Sequence, residues 1–192
     1  MKRIILASSS PRRKELLELV GVKPEIIIPQ ADETPLANES VEAFLRRVTI
    51  AKGSSVYQED LADSLIISSD TIVLLNGRMI GKPRDPADAR VILQELSGHM
   101  HEVWTGVAVF SNGDILYDVS KTRVYFNSIS DGELDFYLEN EHYMDKAGAY
   151  AIQGKASVFI ERIDGCYFNV MGFPLNMFYR MLKQLGVELY LQ

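Results

Sequence analysis

The chain has 192 residues, 47% hydrophobic and 24% charged, enough to bury a core in one α/β domain or two closely coupled lobes without staples. Twenty Lys plus Arg stand against 26 Asp plus Glu, a net charge of −6, which disfavours nucleic-acid binding but leaves room for a local basic cluster around a small anion. A single cysteine, Cys166, excludes an intrachain disulfide and favours a reducing compartment. Met1 to Leu6 is too short and too poor in apolar residues for a secretory signal. No run approaches the roughly 18 apolar residues of a membrane span, so a cytoplasmic protein is expected.

In chain order, residues 3–7 read as a short buried strand, followed by the polar loop Ser8-Ser9-Ser10. Ser10 suits an N-cap and Pro11 the first helical position; Leu16, Leu17, Leu19 and Val20 predict the apolar face, and Gly21 the stop. Glu25 to Pro29 predicts a strand, and 31–39 a polar loop. Ser40 caps a helix whose face carries Val41, Phe44, Leu45 and Val48. Leu65 to Leu75 is a long apolar run interrupted by Ser68, Ser69, Asp70 and Thr71, and Asn76-Gly77 fits a two-residue hairpin turn. Asp85-Pro86 opens a helix burying Ala89, Ile92, Leu93 and Leu96. Strands follow at Val103 to Phe110, Ile115 to Val119, and Thr122 to Phe126. Ser130 and Glu133 form a capping-box pattern. Val158 to Ile163 predicts a strand and Pro174 to Leu185 the last helix. No internal repeat, low-complexity tract or linker interrupts the order. The mixture implies an α/β domain with a mixed sheet containing antiparallel hairpins.

Four places defy their local logic, as functional sites tend to do. Arg12 and Arg13 sit in the first turn of a helix, where the macrodipole disfavours cations. Free backbone N–H groups already make that end an anion site, so two guanidiniums and serine hydroxyls suit a phosphate chain; two solvated surface arginines are the alternative. Lys52 follows Val41, Leu45 and Val48 along an apolar stripe, so it either snorkels to solvent or points into a cleft. Asp70 shares a strand face with Ile66, Ser68, Ile72 and Leu74; unless it marks a turn, it must be paired, protonated or metal-bound. Asp145 to Gly154 is rich in small residues that allow close backbone approach, or that simply make a tight loop. Lys82 in Gly81-Lys82-Pro83 is a weaker signal. The sequence contains no metal-binding Cys/His cluster, and His99, His101 and His142 are flanked by loop signals.

Together, Leu6-Ala7-Ser8-Ser9-Ser10-Pro11-Arg12-Arg13, Ser69-Asp70-Thr71-Ile72-Val73, Gly81-Lys82-Pro83, Leu96-Ser97-Gly98 with His101, Asp145 to Gly154 and Val170-Met171-Gly172-Phe173-Pro174-Leu175 resemble the Maf family of nucleoside triphosphate pyrophosphatases. The likeness spans nearly the whole chain and lies nearest the branch acting on dTTP and UTP. It implies a single domain over 1–192 with a Maf/inosine-triphosphatase-like fold: a mixed sheet with flanking helices, in two lobes around a deep cleft. It implies hydrolysis of dTTP or UTP to monophosphate and pyrophosphate with a divalent metal, Mg or Mn. Asp70 matches the general base, and Arg12, Thr71 and Gln153 the specificity positions. Ser8, Arg13, Glu33, Lys52 and Lys82 match other cleft residues, with Glu33 and Asp70 the expected metal ligands. Two stretches depart from the pattern: Asn140-Glu141-His142-Tyr143 replaces a Thr-Gly-Glu-Pro-like segment, and Ser68-Ser69 a Gly-Ala pair.

The charge inventory fits this chemistry. Arg12, Arg13, Lys52 and Lys82 can neutralise a triphosphate, while Asp70 activates water. Two rivals remain: a purine (ITP/XTP) housecleaning hydrolase on the same fold, and a non-enzymatic regulator of septum formation and cell division. The joint presence of the acidic and basic residues favours catalysis. A homodimer stays open.

Overall fold

A computed structural model describes residues 3–57, 61 and 63–187. Among the described residues, seven strands form one mixed sheet: β1 (Ile4–Ala7), β2 (Glu25–Ile27), β3 (Leu65–Leu75), β4 (Arg78–Ile80), β5 (Met100–Ser111), β6 (Asp114–Phe126) and β7 (Ile160–Asp164). The order is β2-β1-β3-β5-β6-β7, with β4 paired to β3. The helices are α1 (Pro11–Leu19), α2 (Val41–Ser54), α3 (Pro86–Leu96), α4 (Asp131–Asn140), the single turn α5 (Tyr167–Val170) and α6 (Leu175–Gln184). No helix among them is long and apolar enough to cross a membrane.

The chain divides into two compact units. The first comprises 1–70, 105–120 and 172–192, and the second 71–104 and 121–171. In the first, β1 pairs in parallel with both β2 and β3, with Ala7 opposite Ser68. Parallel strands need crossover segments, which α1 and α2 supply. Ile5, Ala7, Val56, Ile66, Ala108 and Phe110 build one core cluster there. Helix α2 starts where the sequence predicts, the Ser40 hydroxyl accepting from the Ala43 N–H at 3.2 Å.

Helix α1 differs from expectation at both ends. Ser10 makes no side-chain cap; its own N–H instead donates to the Ser8 hydroxyl at 3.1 Å, so the polar turn satisfies itself upstream of the helix. Leu16 and Leu17 are buried, but Leu19 is 67% exposed, because a helix this short turns only a narrow stripe inward.

The second unit contains the antiparallel part of β3 with β4, joined by Asn76-Gly77 at φ 51° and 78°, the left-handed pair a two-residue hairpin requires. Helix α3 buries the expected Ala89, Ile92, Leu93 and Leu96 and is capped by Asp85, whose carboxylate accepts from Asp88 N–H at 2.8 Å. The Ser130/Glu133 capping box is present at α4. Three boundaries move. Strand β6 runs unbroken across both predicted segments from Asp114 to Phe126. The last strand begins at Ile160, because 155–159 wind into a 3-10 turn that leaves Val158 74% exposed. His101 lies inside β5 and is buried, against the loop placement its neighbours suggested; its ring packs edge-on against Phe126 and Tyr150.

Candidate active site

In the first unit, β3 presents alternate side chains to one face of α2. Ser68 and Asp70, two apart on the strand, meet Thr49 and Lys52, three apart on the helix. The Ser68 hydroxyl donates to the Thr49 carbonyl at 2.7 Å, and the Lys52 ammonium donates to Asp70 Oδ1 at 2.6 Å. The strand period and the helix period thus bring the lysine to the aspartate, and the Ser68 contact sets the register between them. Lys52 and Asp70 side chains are only 10% and 12% exposed. Lys52 also reaches Glu33 Oε1 at 2.9 Å, from a carboxylate that is 57% exposed. One ammonium therefore holds two carboxylates, one deep and one facing solvent. Lys52 neither snorkels free nor stands alone, and Asp70 is a strand residue rather than a turn aspartate.

The Ser8–Ser10 turn leaves the carboxyl end of β1 next to that pair of parallel strands, where open α/β sheets place ligands. Ser8 is buried; its hydroxyl accepts from Ser10 N–H and, at 3.3 Å, from Arg13 Nη1. Arg13 Nε donates to the Gly172 carbonyl at 3.0 Å, and the Ser69 hydroxyl makes a long 3.5 Å contact with the same oxygen. Burial lowers the Arg13 pKa from its usual value, with the charge of Asp70 acting in the opposite direction. The Ser8 and Gly172 oxygens fix the direction of this partly desolvated guanidinium. Arg12, half-buried, stands beside it in the same first turn.

The second unit carries the remaining candidates. Thr71 is half-buried, while Lys82 and Gln153 are exposed. The Gly148 N–H donates to the Gly81 carbonyl at 3.0 Å, so the Lys82 loop and the 145–154 segment are stitched together. That segment is tightly wound. Gly148 has φ 73°, and Ala149 follows at φ 58°, a left-handed conformation that non-glycine residues rarely adopt. Tyr137 helps hold it, its hydroxyl donating to the Ala149 carbonyl at 3.1 Å. Such strain costs of order 1 kcal/mol and persists where surrounding contacts impose it. Glu141 approaches Gly154 closely: a Cβ there would lie 2.8 Å from Glu141 Oε2, which accepts from Lys155 N–H and would have to shift. The unusual Asn140-Glu141 stretch is thus tied to the 145–154 loop.

Two contributors carry no sequence signal. The Gly172 carbonyl is a backbone group, invisible to residue type. Arg47 is indistinguishable by pattern from its neighbour Arg46, although the structure locks it against the 32–39 loop. The capping logic of Ser40 marks where that loop ends, the nearest available hint.

Glu33 and Asp70, which share the Lys52 ammonium, are hard oxygen donors of the kind that suits a divalent metal ion. Among the described residues there is no group of three or more His, Cys, Asp or Glu side chains that would enclose a metal. Two carboxylates leave coordination positions for water and substrate phosphate, the usual arrangement for Mg at phosphoryl-transfer sites.

A mixed sheet with parallel strands ending at an arginine-bearing helix start, next to a lysine-bridged carboxylate pair, defines a protein built to handle a phosphorylated anion. The chain belongs to the Maf family: the model for "Maf-like protein" matches residues 3–185. It is 42% identical over 188 residues to a dTTP/UTP pyrophosphatase of Bacillus cereus (strain ATCC 10987 / NRS 248), covering 98% of this chain and 92% of that one. It is likewise 42% identical to the dTTP/UTP pyrophosphatase of Bacillus anthracis, with 98% of each chain covered. Among solved structures, the Staphylococcus aureus Ham1 protein shares the fold at 14% identity and a TM-score of 0.54, over 96% of this chain and 100% of that one.

Proposed function

We propose that the chain hydrolyses dTTP and UTP to the nucleoside monophosphate and pyrophosphate in the cytoplasm, as a housecleaning enzyme of nucleotide pools. The observation that carries the reading is the Lys52 ammonium shared between Asp70 and Glu33, beside the Ser8–Arg13 turn. Its support from relatives is the dTTP/UTP pyrophosphatase activity named for proteins 42% identical over almost the whole chain.

In this mechanism Asp70 accepts the proton of a water whose oxygen bonds to the α-phosphorus. The bond from that phosphorus to the oxygen bridging it to the β-phosphorus breaks, and pyrophosphate leaves with its electron pair. General-base assistance of this kind contributes about 10²–10⁴-fold. Arg12, Arg13 and Lys52 balance the charge on the transferring and leaving phosphates. A bound Mg or Mn ion, held by Glu33 and Asp70, would supply water acidification and further charge neutralisation. Lys52 keeps the two carboxylates close together before substrate arrives, since without a cation between them they would repel. Gln153, with Thr71 in the same unit, selects the pyrimidine base, the amide offering both a donor and an acceptor.

Chromatography of a reaction with dTTP or UTP tests the reading. Monophosphate and pyrophosphate should appear together, without accumulating diphosphate. Orthophosphate as the first product would overturn it, and a strong preference for ITP would move the chain to purine housecleaning.

A further inference from the structure

Glu33 presents a physical problem. Its carboxylate is 57% exposed and lies in a polar loop outside any helix or strand, so packing cannot hold it against Lys52. Yet an exposed pair with a flexible lysine is worth little by itself. The holding force comes from Arg47, on α2. Its Nη1 donates to the Asp32 carbonyl at 3.3 Å and its Nη2 to the Thr34 carbonyl at 2.9 Å, the two carbonyls on either side of Glu33. The rest of the guanidinium forms a fork with Glu39, Nε to Oε1 at 2.7 Å and Nη2 to Oε2 at 2.8 Å. The Glu39 side chain is 9% exposed and that of Arg47 30%, so the fork is partly shielded from competing water. The loop adds its own supports: Thr34 N–H donates to Asp32 Oδ1 at 2.8 Å, and Leu36 N–H to Glu39 Oε2 at 3.1 Å. At the loop's start, Gln30 N–H donates to the Ser55 hydroxyl, which in turn donates to the Lys52 carbonyl.

We propose that Arg47 is a positioning residue: by gripping the backbone on both sides of Glu33 and anchoring itself on Glu39, it presents the Glu33 carboxylate to Lys52 and Asp70. The assignment rests on the proposed role of Glu33 in phosphoanhydride hydrolysis. Geometry restricts the function to arginine. Its planar fork satisfies three acceptor groups in fixed directions, whereas a lysine ammonium in the same place reaches one or two. Arg47 sits on α2, five residues before Lys52, so one rigid helix carries both the ammonium and the clamp that delivers its second carboxylate.

The test pairs hydrogen exchange with a kinetic cycle on the intact protein. Arg47→Ala should speed exchange of the Thr34 and Leu36 amides by about tenfold or more, while α6 amides stay unchanged. It should also lower kcat/KM by about 10–100-fold, the usual cost of losing a group that orients a ligand-bearing side chain. Arg47→Lys should recover part of the exchange protection and part of the rate, which separates positioning from a folding defect. Glu33→Ala combined with Arg47→Ala should be no slower than the worse single variant, because both remove the same carboxylate. Unchanged exchange at Thr34 and Leu36 in Arg47→Ala overturns the proposal. So do fully additive kinetic losses, which would mean Arg47 acts on something other than Glu33. Should Glu33→Ala alone leave the rate at wild type, the role given to Glu33 in catalysis fails, while the exchange result still decides whether Arg47 holds the loop.

Discussion

Both units bury ionisable side chains, but they do so in opposite ways. In the first, Lys52 and Asp70 form a charged pair at 2.6 Å with Glu33 at its edge. In the second, His101 contacts the Tyr150 hydroxyl at 2.7 Å between aromatic rings, and burial pushes its pKa down to about 4. Tyr137 and Tyr150 are likewise driven upward by burial. One region sets its buried polar ends against one another in a salt bridge, and the other buries them among aromatic rings, where burial favours the neutral form. Buried ion pairs seldom improve on a well-packed apolar core. The proposed catalytic role gives a reason for retaining the Lys52–Asp70 pair, whereas the aromatic cluster around His101 packs the second unit.

Breaking the charged side should hurt activity most. Asp70→Asn nearly preserves size but removes the base, and turnover should drop by about 10²-fold or more with the fold intact. Near-wild-type turnover in a folded variant would remove Asp70 from the reaction. A smaller effect is expected at Gln153, on the exposed loop of the second unit. Gln153→Glu loses the amide donor, so the ratio of kcat/KM for dTTP or UTP to that for GTP should fall by about tenfold or more. An unchanged ratio would leave Gln153 as a loop residue without a part in base choice.

The neutral side should show itself in stability alone. Below its ordinary pKa of 6.5 the unfolded chain protonates His101, while the folded chain resists until about pH 4. The native state thus binds fewer protons in that window, and stability falls as pH falls through it. Urea unfolding between pH 7 and 4.5 should show the wild type losing about 1–3 kcal/mol more than His101→Gln. Parallel pH profiles would show that His101 does not titrate on unfolding, and a large loss of turnover in the variant would blur the contrast between the two regions.

Elements with strong local signals were legible in the sequence. The α3 stripe, the α4 capping box and the Asn76-Gly77 turn all follow from contacts within a few residues. The charged residues at odds with their surroundings, Lys52 and Asp70, were legible too, though not their mutual bond, because 18 residues separate them. What escaped depends on tertiary geometry. The exposure of Leu19, the burial of His101 and the 3-10 turn at 155–159 are set by distant neighbours that no local period reports. Ser68 looked like a departure from the family pattern, and its hydroxyl instead ties β3 to α2 beside the candidate base. The grip of Arg47 on two backbone carbonyls was illegible for the same reason as the Gly172 carbonyl: backbone acceptors have no residue identity.

The most direct test of the central claim follows the oxygen. Hydrolysis of dTTP in ¹⁸O-enriched water by the wild-type chain, read by mass spectrometry of the products, reports which phosphorus the activated water attacks. Attack at the α-phosphorus predicts label in the monophosphate and none in pyrophosphate, with the signal lost in Asp70→Asn. Label in pyrophosphate, or labelled orthophosphate released first, would contradict the account.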